Sequence, residues 1–141
     1  MKTKTFPTPQ DCEAAFYEAL ESNDLDAMME VWAEDEEIVC VHPGGPRLAG
    51  YEQVRASWAA ICASGQRLKV QITQPVITQS MMSSVHSVHE TLSLASDPKS
   101  SQTVVATNVY IRTGNGWRMI VHHAAPAPEM PRSSDAPKIL H

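Results

Sequence analysis

The sequence predicts one α+β domain in which helices pack on one side of an antiparallel sheet. Apolar residues recur at helical spacing over the first part of the chain, and from Leu68 onward they alternate with polar residues, as they do in strands. Four of the predicted strands follow one another through short turns, which makes them antiparallel neighbours. The length of 141 residues fits a single domain with a real hydrophobic core.

Three helices are predicted, and each has a start or stop signal. Thr8 can accept the free N–H groups of the first helix, and Asn23 can adopt the left-handed turn that ends it. Asp24 then caps a second, short helix. Gly50 precedes the third helix, which is separated from the second by a strand and a Pro-Gly-Gly-Pro loop.

Five strands are predicted, of which the first is the β-branched run 38–42. The other four cover residues 68–72, 85–94, 103–113 and 117–125. Pro75 predicts a bulge or an edge position, because proline cannot donate to a neighbouring strand. Residues 114–116 predict a tight hairpin between the last two strands, with a three-residue loop preferred to a two-residue turn.

Charge and hydropathy exclude several classes of partner. The formal net charge of −5 argues against binding to nucleic acid or to an anionic membrane surface. No apolar run reaches the roughly 20 residues of a membrane span, and the first residues do not have the apolar segment of a signal peptide. We therefore expect a cytoplasmic protein with no nucleic acid and no membrane among its partners.

The three cysteines do not indicate a disulfide framework or a thiolate metal site. Cys12, Cys40 and Cys62 are odd in number and widely spaced, and each lies in an apolar pattern. They are predicted to be small buried apolar side chains.

The order of elements resembles the nuclear transport factor 2-like superfamily, whose fold is called cystatin-like. Within it, the chain resembles the SnoaL-like and ketosteroid-isomerase-like proteins over residues 8–127, with 128–141 as a weakly ordered C-terminal tail. The segments that carry this resemblance are Val31-Trp32-Ala33, His42-Pro43-Gly44-Gly45-Pro46, Ala106-Thr107-Asn108-Val109-Tyr110, Gly116-Trp117-Arg118-Met119 and His122-His123.

The resemblance implies a sheet that curls around the helices into a cone, with one apolar cavity at its open end. Phe16 falls where the isomerases have an oxyanion-stabilising tyrosine, and Val109 falls near their aspartic acid donor, so both donors are missing. His42 falls close to their catalytic aspartate. Trp32 and Trp58 fall where aromatic residues line the isomerase pocket, although core packing alone would also explain them. Steroid isomerisation is therefore not expected.

Strand parity predicts which side chains of the last two strands point inward. With the three-residue loop, Val109 pairs with Val121, and both share a largely apolar face with His123. This face is predicted to line the cavity, so that His123 is either a buried, hydrogen-bonded residue or a proton-transfer residue beside His42. The opposite face is predicted to form a homodimer interface.

The strand 85–94 has a less decisive pattern. His86 and Glu90 lie on its more apolar face, which the pattern favours as the inward one without deciding it. There Glu90 could orient a histidine, or it could lie in the solvated part of the strand. Together with His42 and His123 they would form a conceivable metal set, but no local ligand spacing supports one. No metal and no cofactor are predicted.

Three functional hypotheses remain, because the superfamily contains enzymes, carriers and association modules. The first is a small-molecule isomerase, cyclase or dehydratase that uses a histidine as its proton-transfer group. The second is a pocket that binds a small apolar ligand without catalysis. The third is a dimeric protein-association module whose cavity is filled by side chains.

Overall fold

The computed structural model describes residues 4–34 and 37–128, and it confirms the α+β class. The predicted tail lies outside the described residues from position 129 onward. In chain order the elements are α1 (Pro9–Ser22), α2 (Leu25–Val31), β1 (Val39–Val41), β2 (Arg47–Ala49), α3 (Tyr51–Ala63), β3 (Leu68–Gln79), β4 (Ser83–Leu94), β5 (Asp97–Thr113) and β6 (Gly116–Pro126).

The helix boundaries follow from the capping residues that the sequence indicated. The Thr8 hydroxyl accepts a hydrogen bond from the Asp11 backbone N–H at 3.0 Å, which begins α1. Asn23 ends α1 in the left-handed region with φ 54°. The Asp24 carboxylate accepts from the Ala27 N–H at 3.0 Å and begins α2. These three predictions are confirmed.

The six strands form one sheet in the order β2-β1-β6-β5-β4-β3. Only β1 and β6 run parallel to each other, and the other neighbours are antiparallel. The short strand β2 was not predicted. β3 lies at one edge, and its pairing shifts between Thr73 and Val76, where Gln74 has φ 51°. The prediction that Pro75 marks an edge or a bulge is confirmed on both counts.

The hairpin between β5 and β6 differs from the prediction. Thr113 pairs with Gly116, so the turn has two residues rather than three. Further along, a bulge leaves Ile120 without a partner in β5, and beyond it Val109 pairs with Val121 as predicted. A Cβ on Gly116, which has φ 90°, would lie 2.8 Å from the backbone N and O of Phe6. The close approach of the N-terminal segment therefore requires glycine at this position.

The helices cover one face of the sheet, which we call the inner face, and the main core lies between the two. Its largest fully buried side chains include those of Phe16, Met28, Trp32, Trp58, Tyr110 and Met119. None of the helices in the described ranges is both long and apolar enough to cross a lipid bilayer.

Candidate functional site

Five of the predicted pocket residues lie in the interior between the helices and the inner face. They are Phe16, Trp32, Trp58, His86 and Glu90, each at most 3% exposed. Because Val88 and Ser84 alternate with outward-facing residues in β4, the inward direction of His86 and Glu90 follows from strand parity. The sequence pattern favoured this facing without deciding it, and the described structure has both side chains inside.

The predicted facing of the last two strands is wrong. His123 is exposed, whereas His122 beside it is buried, so His122 is the histidine that points inward. Val109 and Val121 lie on the same outer face as His123 and are half-buried, so they do not line the interior.

The prediction failed because it placed the more apolar set of side chains inside. The inner residues of β5 and β6 include Asn108, Tyr110 and His122, all buried, and their polar atoms have partners in the interior. A polar side chain that is fully hydrogen-bonded can be buried without a large desolvation penalty. An apolar pattern alone therefore could not identify the inner face.

A chain of hydrogen bonds runs from β6 to β4 through the interior. Asn108 Oδ1 lies 2.6 Å from His122 Nδ1, and the Asn108 amide donates to the Tyr17 hydroxyl at 2.8 Å. Tyr17 in turn donates to Glu90 Oε2 at 2.5 Å. Since the Asn108 oxygen can only accept, the proton of His122 must be on Nδ1.

This tautomer leaves His122 Nε2 with a free lone pair in an aromatic environment. The imidazole centroid lies 4.8 Å from that of Phe16 and 6.2 Å from that of Trp58. Burial, followed by the charges of His42 and His123, lowers the pKa of His122 to about 3. His122 is therefore neutral at physiological pH, with an oriented acceptor nitrogen.

His42 lies beside His122 because β1 runs parallel to β6. Cys40 pairs with His122, and His42 follows two residues later on the same side. The ring of His42 stands at 80° to that of Trp58 with a centroid distance of 4.8 Å, and its Nε2 lies 3.1 Å from Ser57 Oγ. The structure therefore brings His42, His122, Phe16 and Trp58 together.

The protonation of His42 also follows from its partner. Ser57 donates its hydroxyl proton to the Val54 carbonyl oxygen at 2.8 Å, so its oxygen accepts from His42 Nε2–H. Burial lowers the pKa of His42 below its ordinary value. His42 is half-buried, so it is more accessible than His122.

A second polar cluster lies where β4 and β5 pass under the first turns of α1. His86 Nδ1 is 2.9 Å from Glu13 Oε2, and its Nε2 is 2.8 Å from Ser84 Oγ. Tyr110 donates to the same Glu13 oxygen at 3.0 Å. Glu13, rather than Glu90, is therefore the carboxylate that orients His86.

The described residues do not assemble a metal site. Within ranges 4–34 and 37–128, no group of three or more histidine, cysteine or acidic side chains has the arrangement that a metal ion needs. Of the conceivable set, His123 faces away, while His86 and Glu90 are occupied by other partners.

Sequence reasoning missed Tyr17, Asn108 and Glu13 and chose the wrong one of two adjacent histidines. One signal was available: an inward Glu90 requires a hydrogen-bond donor, and Tyr17, next to Phe16 in the first helical segment, carries one. The identity of the donor depends on how α1 sits on the sheet, which the sequence pattern does not specify.

The geometry defines a class: a helix-covered, mostly antiparallel sheet with polar and aromatic side chains buried beneath the helices. Residues 10–128 match the SnoaL-like domain family, to which this chain therefore belongs. No curated protein matches the sequence significantly.

Solved structures agree with this assignment. A Thiobacillus denitrificans protein, provisionally described as a calcium/calmodulin-dependent protein kinase type II association domain, is 36% identical, with a TM-score of 0.79 over 89% of this chain and 100% of that one. A Streptomyces avermitilis protein, provisionally described as a dehydratase of the NTF2-like family, is 32% identical, with a TM-score of 0.76 over 83% of this chain and 91% of that one. A Pseudomonas putida NTF2-like protein of unknown function is 15% identical, with a TM-score of 0.76 over 94% and 93% of the two chains, and shares the fold.

Proposed function

We propose that the chain binds a small, largely apolar molecule between the helices and the inner face, and that His122 transfers a proton of that molecule. The observation that carries this proposal is the bond between His122 Nδ1 and Asn108 Oδ1, because it directs a free Nε2 lone pair into aromatic surroundings. The substrate would be a carbonyl compound with an enolisable or dehydratable centre. His42, next to Trp58, is the second candidate for proton transfer.

The chemistry proceeds through one base. His122 Nε2 takes the proton next to the substrate carbonyl, and the electron pair of the broken C–H bond moves to the carbonyl oxygen. In an isomerisation the same proton returns to another carbon. In a dehydration the pair forms the new C=C bond while a β-hydroxyl leaves, and His122 gives that hydroxyl its proton to form water.

The buried network supports this role by holding the imidazole in position. Asn108 Oδ1 accepts a hydrogen bond from His122 Nδ1–H, and this bond favours the imidazolium as it forms. Tyr17 and Glu90 hold the Asn108 amide in place. Asn108 cannot relay a proton, so Tyr17 and Glu90 act by positioning. The name of the Streptomyces avermitilis relative, a dehydratase, is consistent with this reaction class.

Adjacent histidines in β6 provide a matched experiment. Wild type, His122→Gln, His42→Gln and His123→Gln are incubated in D₂O with a panel of aromatic ketones and β-hydroxy ketones, such as acetophenone and 4-hydroxy-4-phenylbutan-2-one. Deuterium incorporation and enone formation are followed by NMR. We expect His122→Gln to lose at least about 10² of the rate and the exposed-site variant His123→Gln to keep it. A folded His122→Gln variant with wild-type rates would contradict the proposal.

The second candidate function is a protein-association module that forms a homodimer through the outer face of the sheet. Apolar side chains are exposed there and at the adjoining β3–β4 hairpin, namely Val76, Ile77, Met81, Met82 and Val85. In the outer face, Val85 pairs with Val109 and Val109 with Val121, which forms a continuous apolar row. The Thiobacillus denitrificans relative is named as an association domain, which is consistent with this function.

Sedimentation velocity tests this candidate. We expect a dimer for the wild type and a monomer for Val109→Glu, with Ala60→Glu, at an exposed position of α3 on the helix side, as the control. A monomeric wild type at tens of micromolar would exclude the homodimer.

We also propose, on the charge and hydropathy of the sequence, that the protein acts in the cytoplasm.

A further inference from the structure

Trp58 has a buried hydrogen-bond donor with nothing to bind. The side chain is 2% exposed, and its Nε1–H has no hydrogen-bond partner among the described residues. The nitrogen is also covered, so water does not reach it. Buried polar groups are nearly always paired, because an unpaired one carries an uncompensated desolvation cost. The Trp32 Nε1–H is also buried without a partner among the described residues, so an unpaired indole donor becomes informative only through its position.

The position of Trp58 is informative, since its ring lies between the two histidines of the site. Its centroid is 4.8 Å from that of His42 and 6.2 Å from that of His122, and the Phe16 ring lies 5.6 Å away. Both histidines are neutral and offer acceptor nitrogens, so Trp58 Nε1–H is the complementary donor in this region.

The charges around the site limit what this donor can bind. Every described lysine and arginine is exposed apart from Arg118, which is occupied by the carbonyl oxygens of Lys4 and Trp117. The interior instead carries Glu90, whose pKa is raised chiefly by burial. Within residues 4–34 and 37–128, no buried cation is therefore free to compensate a buried carboxylate or phosphate of a ligand.

We infer that Trp58 Nε1–H recognises the carbonyl or hydroxyl oxygen of an uncharged ligand, and that the site discriminates against anionic ligands. This inference rests on the binding part of the proposed function and not on proton transfer. Trp58 is thus a specificity-determining residue, and it receives its hydrogen-bond partner only when the ligand is bound.

Entry of the ligand requires a neighbour of Trp58 to move, because the nitrogen is covered. His42 is suited to this movement, since it is half-buried, stands at 80° to the indole and is held through Nε2 alone, which lies 3.1 Å from Ser57 Oγ and 3.7 Å from Cys40 Sγ. The ligand oxygen then takes the place beside the indole N–H that the protein leaves without an acceptor.

Three probes of similar size test the inference. Acetophenone has a carbonyl oxygen, α-methylstyrene has a CH₂ group in place of that oxygen, and benzoate has a carboxylate. Their binding to wild type, Trp58→Phe and Trp117→Phe is measured by titration, together with the indole ¹H–¹⁵N signals. Trp58→Phe assigns the Trp58 signal, and Trp117→Phe makes the same chemical change near the β5–β6 hairpin, away from the histidines.

The wild type is expected to bind acetophenone roughly tenfold more tightly than α-methylstyrene and to bind benzoate more weakly than either. Acetophenone should move the Trp58 indole proton downfield. Trp58→Phe should lose the tenfold preference, and Trp117→Phe should keep it. Equal affinity of the wild type for acetophenone and α-methylstyrene overturns the inference. So does an unmoved Trp58 signal at the highest soluble concentration of acetophenone, whether or not the probe binds elsewhere.

Two further measurements separate this inference from the proposed proton transfer. His122→Gln should keep the preference for acetophenone, because the donor is on Trp58. Trp58→Phe without a probe loses indole volume from the core but no hydrogen bond, so its unfolding temperature is measured to establish that it is folded where the titrations are done. If the preference depends on Trp58 but the wild type exchanges no α-protons, the inference stands and the proton-transfer proposal fails.

Discussion

Tyr17 and Glu90 join α1 to β4 through a hydrogen bond of 2.5 Å between buried side chains that lie 73 positions apart in the sequence. The same Tyr17 oxygen accepts from the Asn108 amide at 2.8 Å. Tyr17 thus satisfies a buried carboxylate on one side and a buried amide on the other. Replacing it would leave two polar groups without partners in the interior.

Tyr17→Phe is expected to lower the free energy of unfolding by about 2–3 kcal/mol, because it leaves the Glu90 carboxylate and the Asn108 amide unpaired. It should also raise the pKa of Glu90 further, since the bond from Tyr17 lowers that pKa. Urea unfolding gives the stability, and ¹³C NMR of labelled glutamate gives the pKa. In the Glu90→Gln background, where the charge is absent, Tyr17→Phe should lower the free energy of unfolding by a smaller amount. Equal losses in both backgrounds would contradict this account.

The burial of neutral His122 predicts a pH dependence of stability. Its pKa is about 3 in the folded protein and near 6.5 in the unfolded chain. Between these values the unfolded chain binds a proton that the folded protein does not, so this contribution to stability is complete above pH 6.5 and is lost as the pH falls toward 3.

His122→Gln should remove this dependence, which amounts to about 1.4 kcal/mol per pH unit for one proton. The control is His123→Gln, which changes an exposed histidine in the same strand and should keep the wild-type slope. Urea unfolding from pH 4 to pH 7 measures all three proteins. Parallel curves for wild type and His122→Gln would show that His122 titrates normally.

Gly116→Ala should destabilise the fold by about 1–3 kcal/mol, because its φ of 90° is unfavourable for alanine and the new Cβ would lie 2.8 Å from the Phe6 backbone. Gly114→Ala is the matched control, since a Cβ there has no atom within 4 Å. Chemical unfolding of both variants provides the comparison. A Gly116→Ala protein as stable as Gly114→Ala would show that the N-terminal segment does not hold its place beside β6.

The cysteines should differ in reactivity toward an aromatic disulfide reagent. Burial raises the pKa of the Cys12 and Cys40 thiols to about 12, and both side chains are inaccessible. Cys62 is half-buried, so it should react first, and Cys62→Ser should abolish the fast phase. The release of the coloured thiolate is followed with time under native conditions. A fast phase that persists in Cys62→Ser would contradict the burial of Cys12 or Cys40.

Local signals in the sequence were sufficient for most of the fold. The caps at Thr8 and Asp24 and the left-handed Asn23 follow from properties of single residues, and alternation predicted the strands. The hairpin was not predictable in the same way. Gly116 belongs to the strand because Phe6 packs against it, and that contact joins distant parts of the chain.

The candidate site was predicted only in part, for a related reason. Parity favoured an inward facing of His86 and Glu90 without deciding it, since β4 has its more apolar residues on the same face as these two. For β5 and β6 the more apolar face is the outer one, and the inner face is held by bonds among Tyr17, Asn108 and His122. Hydrophobic patterning cannot distinguish polar side chains that are buried and hydrogen-bonded from polar side chains that face solvent.

The unpaired residue Ile120 has a consequence for how this strand tolerates change. It separates β6 into two segments whose inward positions fall on odd numbers before it, as at Met119, and on even numbers after it, as at His122. Deleting Ile120 would leave a regular ladder, with Met119 still opposite Tyr110 and Val121 still opposite Val109, so His122 would stay inside and His123 outside. The bulge thus absorbs a one-residue difference in length, because the segment that carries His122 keeps its pairing with β5 whether or not the extra residue is present.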